Sequence, residues 1–480
     1  MNWIEGWDRQ QVHLLPPRVE DYVEENNPVR FLDVFVEGLD LRGKGFKFPK
    51  ENAQGKGHPA YRPGDLLKLY LYGYLHGVRS SRKLEKECQR NLEVMWLLRQ
   101  LAPDFKTIAD FRKDNAEAFK AVTREFTRLC QQLDLFGRHL FAIDGTKIKA
   151  QNARDQNWSQ SKLENQLERA QEKMEGYLKS LDEADTQESV VPEKVAGLKA
   201  KMEQWKKREA TARERLETLK ETKASQLSRT DPDSRGMKGN YGHMVGYNVQ
   251  GAVDAKHHLL VVLEATNQSV DQGQLATVAQ ATKEALQIQQ ADITADGGYF
   301  KNQDIKSCQE MGMEPHVPEA IAPKEFYGKK EFQYEAASNT YRCPSGAVLH
   351  FHRQVEDKGT VRFNYQNPAA CAKCALRAGC TKTEHRTVSR WEHEDCIQRM
   401  NQKMAANPEK LAQRKTLIEH PWGTIKYLLP GGFLVKGLKK VGAEISLIHF
   451  AYNLKRVLAV IGLQKLLAAC KKQLAEPKMA

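Results

Sequence analysis

Two aspartates follow short apolar runs and stand directly before glycines. In the segment HLFAIDGTKIKAQ the run LFAI leads to Asp144, and in ADITADGGYF Asp296 precedes two glycines. An acid at the end of a buried strand is held in a defined place. Two such acids can share a hard divalent cation, because Mg²⁺ takes oxygen ligands and usually only one or two protein carboxylates per ion. These residues therefore favour metal-centre chemistry, although Asp-Gly after an apolar run is also a common plain turn.

The composition is that of a globular protein with an excess of positive charge. The chain has 480 residues, 40% of them hydrophobic, with 74 Lys plus Arg against 61 Asp plus Glu, which gives a formal net charge of +13. Such a length allows several domains. The positive excess favours a polyanionic partner, since Lys and Arg contacts to phosphates supply most non-specific nucleic-acid affinity. The open alternative is that many basic proteins bind no nucleic acid.

Three further features point to the interior of a cell. The first residues, MNWIEGWDRQQVHLLPP, lack the basic and apolar regions of a secretory signal. No apolar run approaches the roughly 20 residues that a membrane helix needs. The 9 cysteines are odd in number and scattered, unlike a disulfide framework. The sequence therefore predicts a protein of the reducing cytoplasm with no membrane partner.

Helical spacing of apolar residues predicts an all-α N-terminal domain over residues 1–135. The predicted helices are Val29–Leu39, Pro63 to about Gly77, one from Ser80 or Ser81 to before Pro103, and one opened by a capping-box pair, Thr107 and Asp110, and running through Leu129. Basic residues near the helix ends fit either a helix-turn-helix DNA reader or a solvated surface for dimer contacts. They are Arg79, Arg82, Lys83, Lys86, Arg90, Lys106, Arg112 and Lys113.

The central region predicts a mixed α/β sheet interrupted by a helical insertion. Residues 136–158 contain the Asp144 strand, and heptad spacing over 159–228, with a break near residues 185–192, predicts an antiparallel coiled-coil hairpin. From 229 to 335 the pattern returns to a β-hairpin, formed by MVGYNVQGAV and HLLVVLEAT, followed by a helix, the Asp296 strand, a helix and a short strand. Both acids are therefore expected at strand ends of one sheet.

Residues 336–400 contain five of the nine cysteines. Cys371, Cys374 and Cys380 follow Cys343 in a short segment with Gly and Pro, which suits a tetrahedral structural zinc site. His385 or His393 can replace one of these four ligands, and the fifth cysteine is Cys396. Reduced structural thiols are the alternative reading, because the spacing is not that of two Cys-x2-Cys pairs.

A third acid occurs in RKTLIEHPWGTIK, within a C-terminal helical part spanning 401–480. Pro421 is tolerated in the first turn of a helix, which would place Glu419 at a helix start. Lys426 would then lie two turns later on nearly the same face, with Arg414 and Lys415 before the acid. Taken alone, this pattern is typical of a solvated, salt-bridged helix face.

Set in order, these segments resemble the bacterial insertion-sequence transposases of the DDE type. The resemblance rests on GHPAYRPGDLLKLYLYGYLHGVRSSRKLEKEC, APDFKTIADFRKDN, FAIDGTKIKAQ, GYNVQGAVD, ADGGYF, the cysteines, RKTLIEHPWGTIK and AYNLKRV. It implies an RNase H-like core in which Asp144, Asp296 and Glu419 hold two Mg²⁺ or Mn²⁺ ions about 3.5–4 Å apart. It also implies cleavage of DNA at element ends, after which the freed 3′-OH attacks target DNA.

The third-acid motif departs from that of related transposases in one part. Their Tyr-x2-Arg-x3-Glu-x6-Lys signature matches at Glu419 and Lys426, whereas Ala412 and Lys415 occupy the Tyr and Arg positions. Asp254, a rival to Asp296, lies in a hairpin turn and is expected to be structural.

The resemblance implies double-stranded DNA as partner, both the terminal inverted repeats and the target. Synapsis of two ends requires at least a homodimer, in the bacterial cytoplasm at the nucleoid. The expected phosphate contacts are Lys426 with Lys415 or Arg414, the backbone-binding patch Lys436, Lys439 and Lys440, and Arg82 and Lys83 on the N-terminal helices. Two alternatives remain open: a non-catalytic DNA-binding regulator derived from a transposase, and a stand-alone metal-dependent nuclease.

Overall fold

The computed structural model describes residues 18–48, 60–185, 192–239, 242–319, 326–357 and 359–475. The first seventeen residues, in which no secretory signal is predicted, lie outside them. In the described residues six α-helices come before the first strand, where the apolar spacing predicts four. They are α1 (Val29–Glu37), α2 (Pro63–Leu75), α3 (Ser81–Arg90), α4 (Leu92–Leu97), α5 (Phe105–Asp114) and α6 (Ala118–Gln132).

Two of the predicted helices are each broken in two. The helix expected to run on towards Pro103 ends at Arg90, and α4 begins beyond Asn91, whose side chain accepts hydrogen bonds from two N–H groups of α4. The next helix is capped by Asp104, which accepts from the backbone N–H of Lys106 and Thr107. The predicted capping box was wrong, because the cap lies three residues before Thr107 and the helix breaks after Asp114.

A six-stranded mixed sheet follows, interrupted by two long helices. Its strands are ordered β4-β5-β1-β7-β8, with β6 paired to β5; β1 is parallel to β7 and antiparallel to β5. The elements are β1 (Leu140–Lys149), β2 (Asn157–Ser159), α7 (Gln160–Asp185), α8 (Pro192–Thr222), β3 (Gln226–Ser228), β4 (Arg235–Gly239), β5 (Gly242–Asp254), β6 (Leu260–Thr266), α9 (Leu275–Leu286), β7 (Ala291–Thr294), α10 (Asn302–Glu310) and β8 (Met313–His316).

The predicted coiled-coil hairpin corresponds to α7 and α8, which pack against each other. At its base β2 pairs with β3, and a small core of Trp158, Leu163, Ala212 and Leu219 is buried there. Most of the predicted turn between the two helices, residues 186–191, lies outside the described residues. The hairpin therefore leaves and rejoins the sheet region through one short two-stranded ribbon.

The cysteine-rich segment forms a second sheet that the sequence did not predict. Five antiparallel strands in the order β13-β12-β11-β10-β9 enclose a separate small core containing Phe332, Tyr341, Leu349, Tyr365 and Val388. The elements are β9 (Gln333–Glu335), β10 (Thr340–Arg342), β11 (Val348–Asp357), β12 (Thr360–Gln366), α11 (Pro368–Ala372) and β13 (Thr387–Trp391).

Four helices complete the described chain: α12 (Glu394–Ala406), α13 (Pro408–Leu428), α14 (Leu438–Ile461) and α15 (Leu463–Ala475). The helix α13 is continuous, with Pro408 at its start and Pro421 in its interior. The expectation that Pro421 lies in a first helical turn was therefore wrong, and Glu419 lies in mid-helix. Burial of Leu417, Ile418, Trp422 and Ile425 accounts for the tolerance of the internal proline, because the apolar face stays packed across it.

One continuous hydrophobic core joins α1–α6, the six-stranded sheet and the C-terminal helices. Arg79 crosses this core: its guanidinium donates to Glu444 of α14 at 2.8 Å and to the carbonyl oxygens of Gly432 and Pro430. Asp254 is fully buried and accepts from the backbone N–H of Gly137, so its expected structural role fits its contacts. Among the described residues no single helix is long and apolar enough to span a membrane; α14 and α15 reach that measure only as a pair bent by 109°.

Candidate active site

The two predicted aspartates lie near each other at one place on the six-stranded sheet. Asp144 is in the middle of β1, not at a strand end as predicted, and Asp296 follows the end of β7 by two residues. Ala142 of β1 pairs with Thr294 of β7. Asp144 and Asp296 each stand two positions beyond this pair, and Asp296, past the last paired residue of β7, keeps an extended backbone (φ −82°, ψ 172°). Their proximity also appears electrostatically, since Asp296 is among the groups that raise the pKa of Asp144. The structure thus brings together the first two acids of the predicted triad.

Asp144 is a carboxylate in a site that penalises its charge. Burial raises its pKa to about 6, and the neighbouring carboxylates of Asp296 and Asp271 push in the same direction. The backbone N–H of Gly145 and the guanidinium of Arg414 act against that rise. The charged form of a half-buried acid beside like charges is stabilised by a bound cation. The donor set and its electrostatics therefore fit a hard divalent metal ion.

We expect Asp144→Asn to stabilise the metal-free protein in a pH-dependent way. The folded-state pKa of about 6 exceeds the ordinary aspartate value of 3.8, so the folded protein binds this proton more tightly than the unfolded chain. Stability from this group is therefore present near pH 4 and is lost as pH rises through 6. At pH 7.5 the variant should gain about 2–3 kcal/mol over the wild type, and near pH 4.5 much less.

Urea unfolding in a chelator between pH 4.5 and 8 measures this difference. Asp134→Asn is the control, because that acid is exposed and its pKa is lowered by Lys256. A stability difference between Asp144→Asn and wild type that stays constant with pH would contradict the expectation.

Asp296 is fixed by the turn that follows it. Its Oδ1 accepts from the N–H of Gly298 at 2.9 Å and begins a single 3₁₀ turn, Gly297–Tyr299. A Cβ at Gly298 would stand 2.9 Å from that same oxygen. The glycine is therefore needed for the carboxylate to be held by the backbone.

The helix α13 covers the face of the sheet on which Asp144 lies. Gly251 pairs with Asp144 across β1 and β5, and a Cβ at Gly251 would stand 3.0 Å from the Trp422 ring. The first turn of α13 is tied to β7 by Lys410, whose Nζ donates to Asp292 at 2.8 Å. Arg414 is half-buried and acts electrostatically on Asp144.

The third predicted acid points elsewhere. Glu419 is exposed, and it lies about 140° around the helix from Arg414 at 3.6 residues per turn. Within the described ranges no three His, Cys, Asp or Glu side chains lie close enough together to hold a metal ion. The structure therefore brings Asp144 and Asp296 together without Glu419, whose role as a metal ligand stays a prediction.

A polar network on the opposite face of the sheet from Asp144 was missed from the sequence. Asp271, in the loop after β6, accepts from Lys147 at 2.6 Å and from Asn248 and Gln250, each at 2.8 Å. The one available signal was the alternation in GYNVQGAV, which places two amide side chains on one face of a buried strand.

The predicted DNA-contacting residues have different surroundings. Lys415, Lys426, Lys436 and Lys439 are exposed, as are Arg82 and Lys83, and Lys440 is half-buried. Arg82 lies over the ring of Phe105 at 4.7 Å. Two members of the predicted basic surface are instead structural: Arg79 is buried, and Arg112 donates to the hydroxyl of Tyr74. Their side chains are held by the core and do not form a DNA-reading surface.

The four cysteines predicted as zinc ligands converge on one cavity of about 30 Å³. Cys343, Cys371, Cys374 and Cys380 all line it as free thiols. Cys396 lies apart on α12, where Arg399 contacts its sulfur. His385 is bound to Gln366 at 2.8 Å. The predicted set of four thiols is thus gathered at one place, although the thiols are not at metal-binding separations.

Two family models match the chain. One described as a transposase domain (DUF772) matches residues 17–114, and one described as a transposase DDE domain matches residues 342–458. The second range contains Glu419 and the four cysteines, whereas Asp144 and Asp296 lie outside both ranges. Comparison with curated proteins gives no match.

One solved structure with a significant match is the piggyBac transposase synaptic complex with hairpin DNA. The sequence identity is 8%, the match covers 95% of this chain and 83% of that chain, and the TM-score is 0.31. A likeness at this level carries no conclusion about the present chain.

Proposed function

The chain is a DNA transposase of the insertion-sequence DDE family, and from that premise we propose how its residues act. Asp144 and Asp296 form the first part of a metal centre that cleaves phosphodiesters at the ends of the element. The freed 3′-OH ends are then joined to target DNA. The observation that carries this proposal is the position of the two acids, each two residues beyond the Ala142–Thr294 pair of β1 and β7, with the raised pKa of Asp144 to which Asp296 contributes.

Divalent metal ions, Mg²⁺ or Mn²⁺, would be held by Asp144, Asp296 and Glu419. Metal ions held there would activate the attacking oxygen and stabilise the leaving one at phosphorus. The two aspartates already lie together, so the protein has to bring Glu419 to them through movement of α13. DNA bound along the exposed lysines of that helix, Lys415 and Lys426, is the natural cause of such a movement.

The fold that we propose for this centre is RNase H-like. Its support is the mixed sheet with the two acids at adjacent parallel strands and α13 packed over them. In this division the N-terminal helical domain is 1–135, the core is 136–158 and 229–335, and the C-terminal part is 401–480. The coiled-coil hairpin, 159–228, and the cysteine-rich segment, 336–400, are insertions into that core.

The remaining basic residues would hold DNA without reading its sequence. Lys436, Lys439 and Lys440 near the start of α14, with Arg82 and Lys83 on α3, would contact phosphates, and Arg414 would orient an end beside Asp144. We propose a homodimer or larger assembly, because two element ends must be held together. Its place is the bacterial nucleoid.

A cleavage assay tests the proposal. Purified protein is incubated with labelled duplexes carrying the ends of its own element, or scrambled ends, in Mg²⁺, Mn²⁺ or chelator. We expect metal-dependent cuts at true ends and joining of those ends to a target plasmid. Asp144→Asn, purified in parallel, excludes a contaminating nuclease.

Two outcomes would replace the proposal with another function. Tight binding of the ends with no cleavage in either metal would indicate a regulator, which the position of Glu419 favours as the second candidate. Metal-dependent cleavage that ignores the end sequence and never joins strands would indicate a nuclease.

A second metal, a structural Zn²⁺, is proposed for the four cysteines of the cavity. Their module has a core of five buried apolar residues, and a closed thiolate shell would add folding energy to it. The metal would draw the four sulfurs inwards from their present positions.

We expect purified protein to contain about one zinc per chain and Cys374→Ser to contain little. The variant should also be cut faster by a protease within residues 336–400, because its small core loses the metal crosslink. Cys396→Ser is the matched control, since that thiol lies outside the cavity. Zinc-free wild type that resists the protease as well as zinc-loaded protein would exclude a structural metal.

A further inference from the structure

The carboxylate of Asp271 accepts hydrogen bonds from three side chains that belong to two strands, β1 and β5. Its side chain is 25% exposed, and its Oδ2 accepts from Lys147 Nζ at 2.6 Å, a lysine only 14% exposed. Its Oδ1 accepts from the amides of Asn248 and Gln250, each at 2.8 Å. Both oxygens are therefore engaged by the protein itself.

The donors all lie on one face of the sheet, opposite to Asp144. Gly145 pairs with Gln250 and Lys147 pairs with Asn248, so these side chains share a face, and Asp144 points the other way. Gly145 leaves room for the network, because a Cβ there would stand 2.7 Å from Asp271 and closer still to Gln250. The network is thus built directly behind the acid.

Two contacts extend the network to the turn that holds Asp296. The hydroxyl of Tyr299, whose pKa is raised by burial so that it stays protonated, donates to Gln250 Oε1. Next to Asp271, the amide of Gln272 donates to the carbonyl of Phe300 at 3.1 Å. The loop of Asp271 therefore bonds to the turn of Asp296 directly and through Gln250.

We propose that Asp271 is a positioning residue that fixes the separation of Asp144 and Asp296 and thereby their affinity for the divalent metal. Its contacts lie on the sheet face opposite to Asp144. They hold β1 and β5 in place through Lys147, Asn248 and Gln250, and they reach the Asp296 turn through Gln250. The inference rests on the proposed function of the two acids. We assign Asp271 a positioning role and not that of a ligand, because its hydrogen bonds go to Lys147 and two amides on the sheet face opposite to Asp144.

Two variants test the network at its two ends. Asp271→Asn replaces one acceptor oxygen with a donor that faces other donors, and Tyr299→Phe removes only the hydroxyl that reaches Gln250. Groups bonded directly to metal ligands typically change metal affinity by about 10–100-fold when they are removed, and Asp271 lies one contact further away, so we expect the lower end of that range. We expect Asp271→Asn to raise the metal concentration for half-maximal cleavage about tenfold or more, and Tyr299→Phe to raise it by less.

A second readout does not depend on cleavage. Binding of Mn²⁺ to the DNA-free protein, measured by titration calorimetry, should weaken in the same order. The double variant should be no weaker than Asp271→Asn, because both changes break one chain of contacts. Glu125→Gln is the control: it breaks the Lys44–Glu125 pair, which has a similar 2.6 Å distance and similar exposure, on α6.

Each outcome decides the matter. Suppose that Asp271→Asn loses cleavage and Mn²⁺ binding as completely as Asp144→Asn does, while Tyr299→Phe is unaffected. Asp271 would then be a ligand, and the inference would be overturned. If the wild-type protein cleaves and both variants have the same metal dependence as the wild type, the inference is overturned and the proposed function stands. Wild-type protein that neither binds Mn²⁺ nor cleaves would overturn both.

Discussion

Replacing Asp144, Asp296 or Glu419 by its amide is expected to lower metal-dependent cleavage of element ends by at least about a thousandfold. Removing a carboxylate ligand raises the activation free energy of phosphoryl transfer by several kcal/mol, because the metal ion is no longer held in place. Each 1.36 kcal/mol is a factor of ten in rate. Binding of the ends should remain near the wild-type level, because the lysines supply it. Cleavage rates at saturating protein and gel-shift affinities separate the two effects.

The Glu419 substitution is the most informative of the three, because this side chain is exposed and lies apart from the other two acids. Glu409→Gln is its matched control, because Glu409 is an exposed acid in the first turn of the same helix. A loss with Glu419→Gln as large as with Asp144→Asn, and none with Glu409→Gln, would support movement of α13 during the reaction. Full activity of Glu419→Gln would remove it from the site.

Arg79→Ala is expected to lower the free energy of unfolding by about 3–5 kcal/mol, because it leaves Glu444 charged, buried and unpaired. The side chains of Arg79 and Glu444 are 5% and 0% exposed. The arginine also donates to two carbonyl oxygens of the segment before α14, which lose their partner as well. Urea unfolding at pH 7.5 measures the loss.

Two further variants test whether the loss of stability comes from the buried ion pair. Arg90→Ala removes the exposed partner of Glu87, and we expect it to cost less than about 1 kcal/mol. Arg79→Met combined with Glu444→Leu removes both charges and should recover most of the loss. An Arg79→Ala protein as stable as Arg90→Ala would mean that the buried pair contributes little to the folded state.

Local patterns in the sequence were sufficient for most elements of the fold. Apolar spacing located α2 and the α7–α8 hairpin, and period-two alternation located β5 and β6, because these signals lie within a few residues of each other. The breaks at Asn91 and after Asp114 escaped notice, since a single side-chain cap decided the first of them. The Cys-rich sheet was missed because two of its strands have only three residues each and the longest, β11, is mostly exposed and so has no regular apolar alternation.

The site was only partly predictable for a different reason. Asp144 and Asp296 carry a local signal, an acid directly after an apolar run, although β1 continues past Asp144 to Lys149 and β7 ends before Asp296. The direction in which Glu419 points depends on how a whole helix packs, and Arg79 finds its partner 365 positions away. Contacts of that kind are set by tertiary packing and leave no pattern around the residue itself.

The ribbon at the base of the coiled-coil hairpin has a consequence for how the chain folds. Lys149 of β1 pairs with Gly246 of β5, 97 positions away (246 − 149), and 71 of these positions lie between Asn157 and Ser228 (228 − 157), which are paired in the ribbon. Once the hairpin has formed, the loop to be closed shrinks roughly fourfold. At about 0.6 kcal/mol per doubling, this lowers the entropic cost of closure by about 1 kcal/mol. The insertion therefore lengthens the chain, but the loop that must close when β1 pairs with β5 stays short.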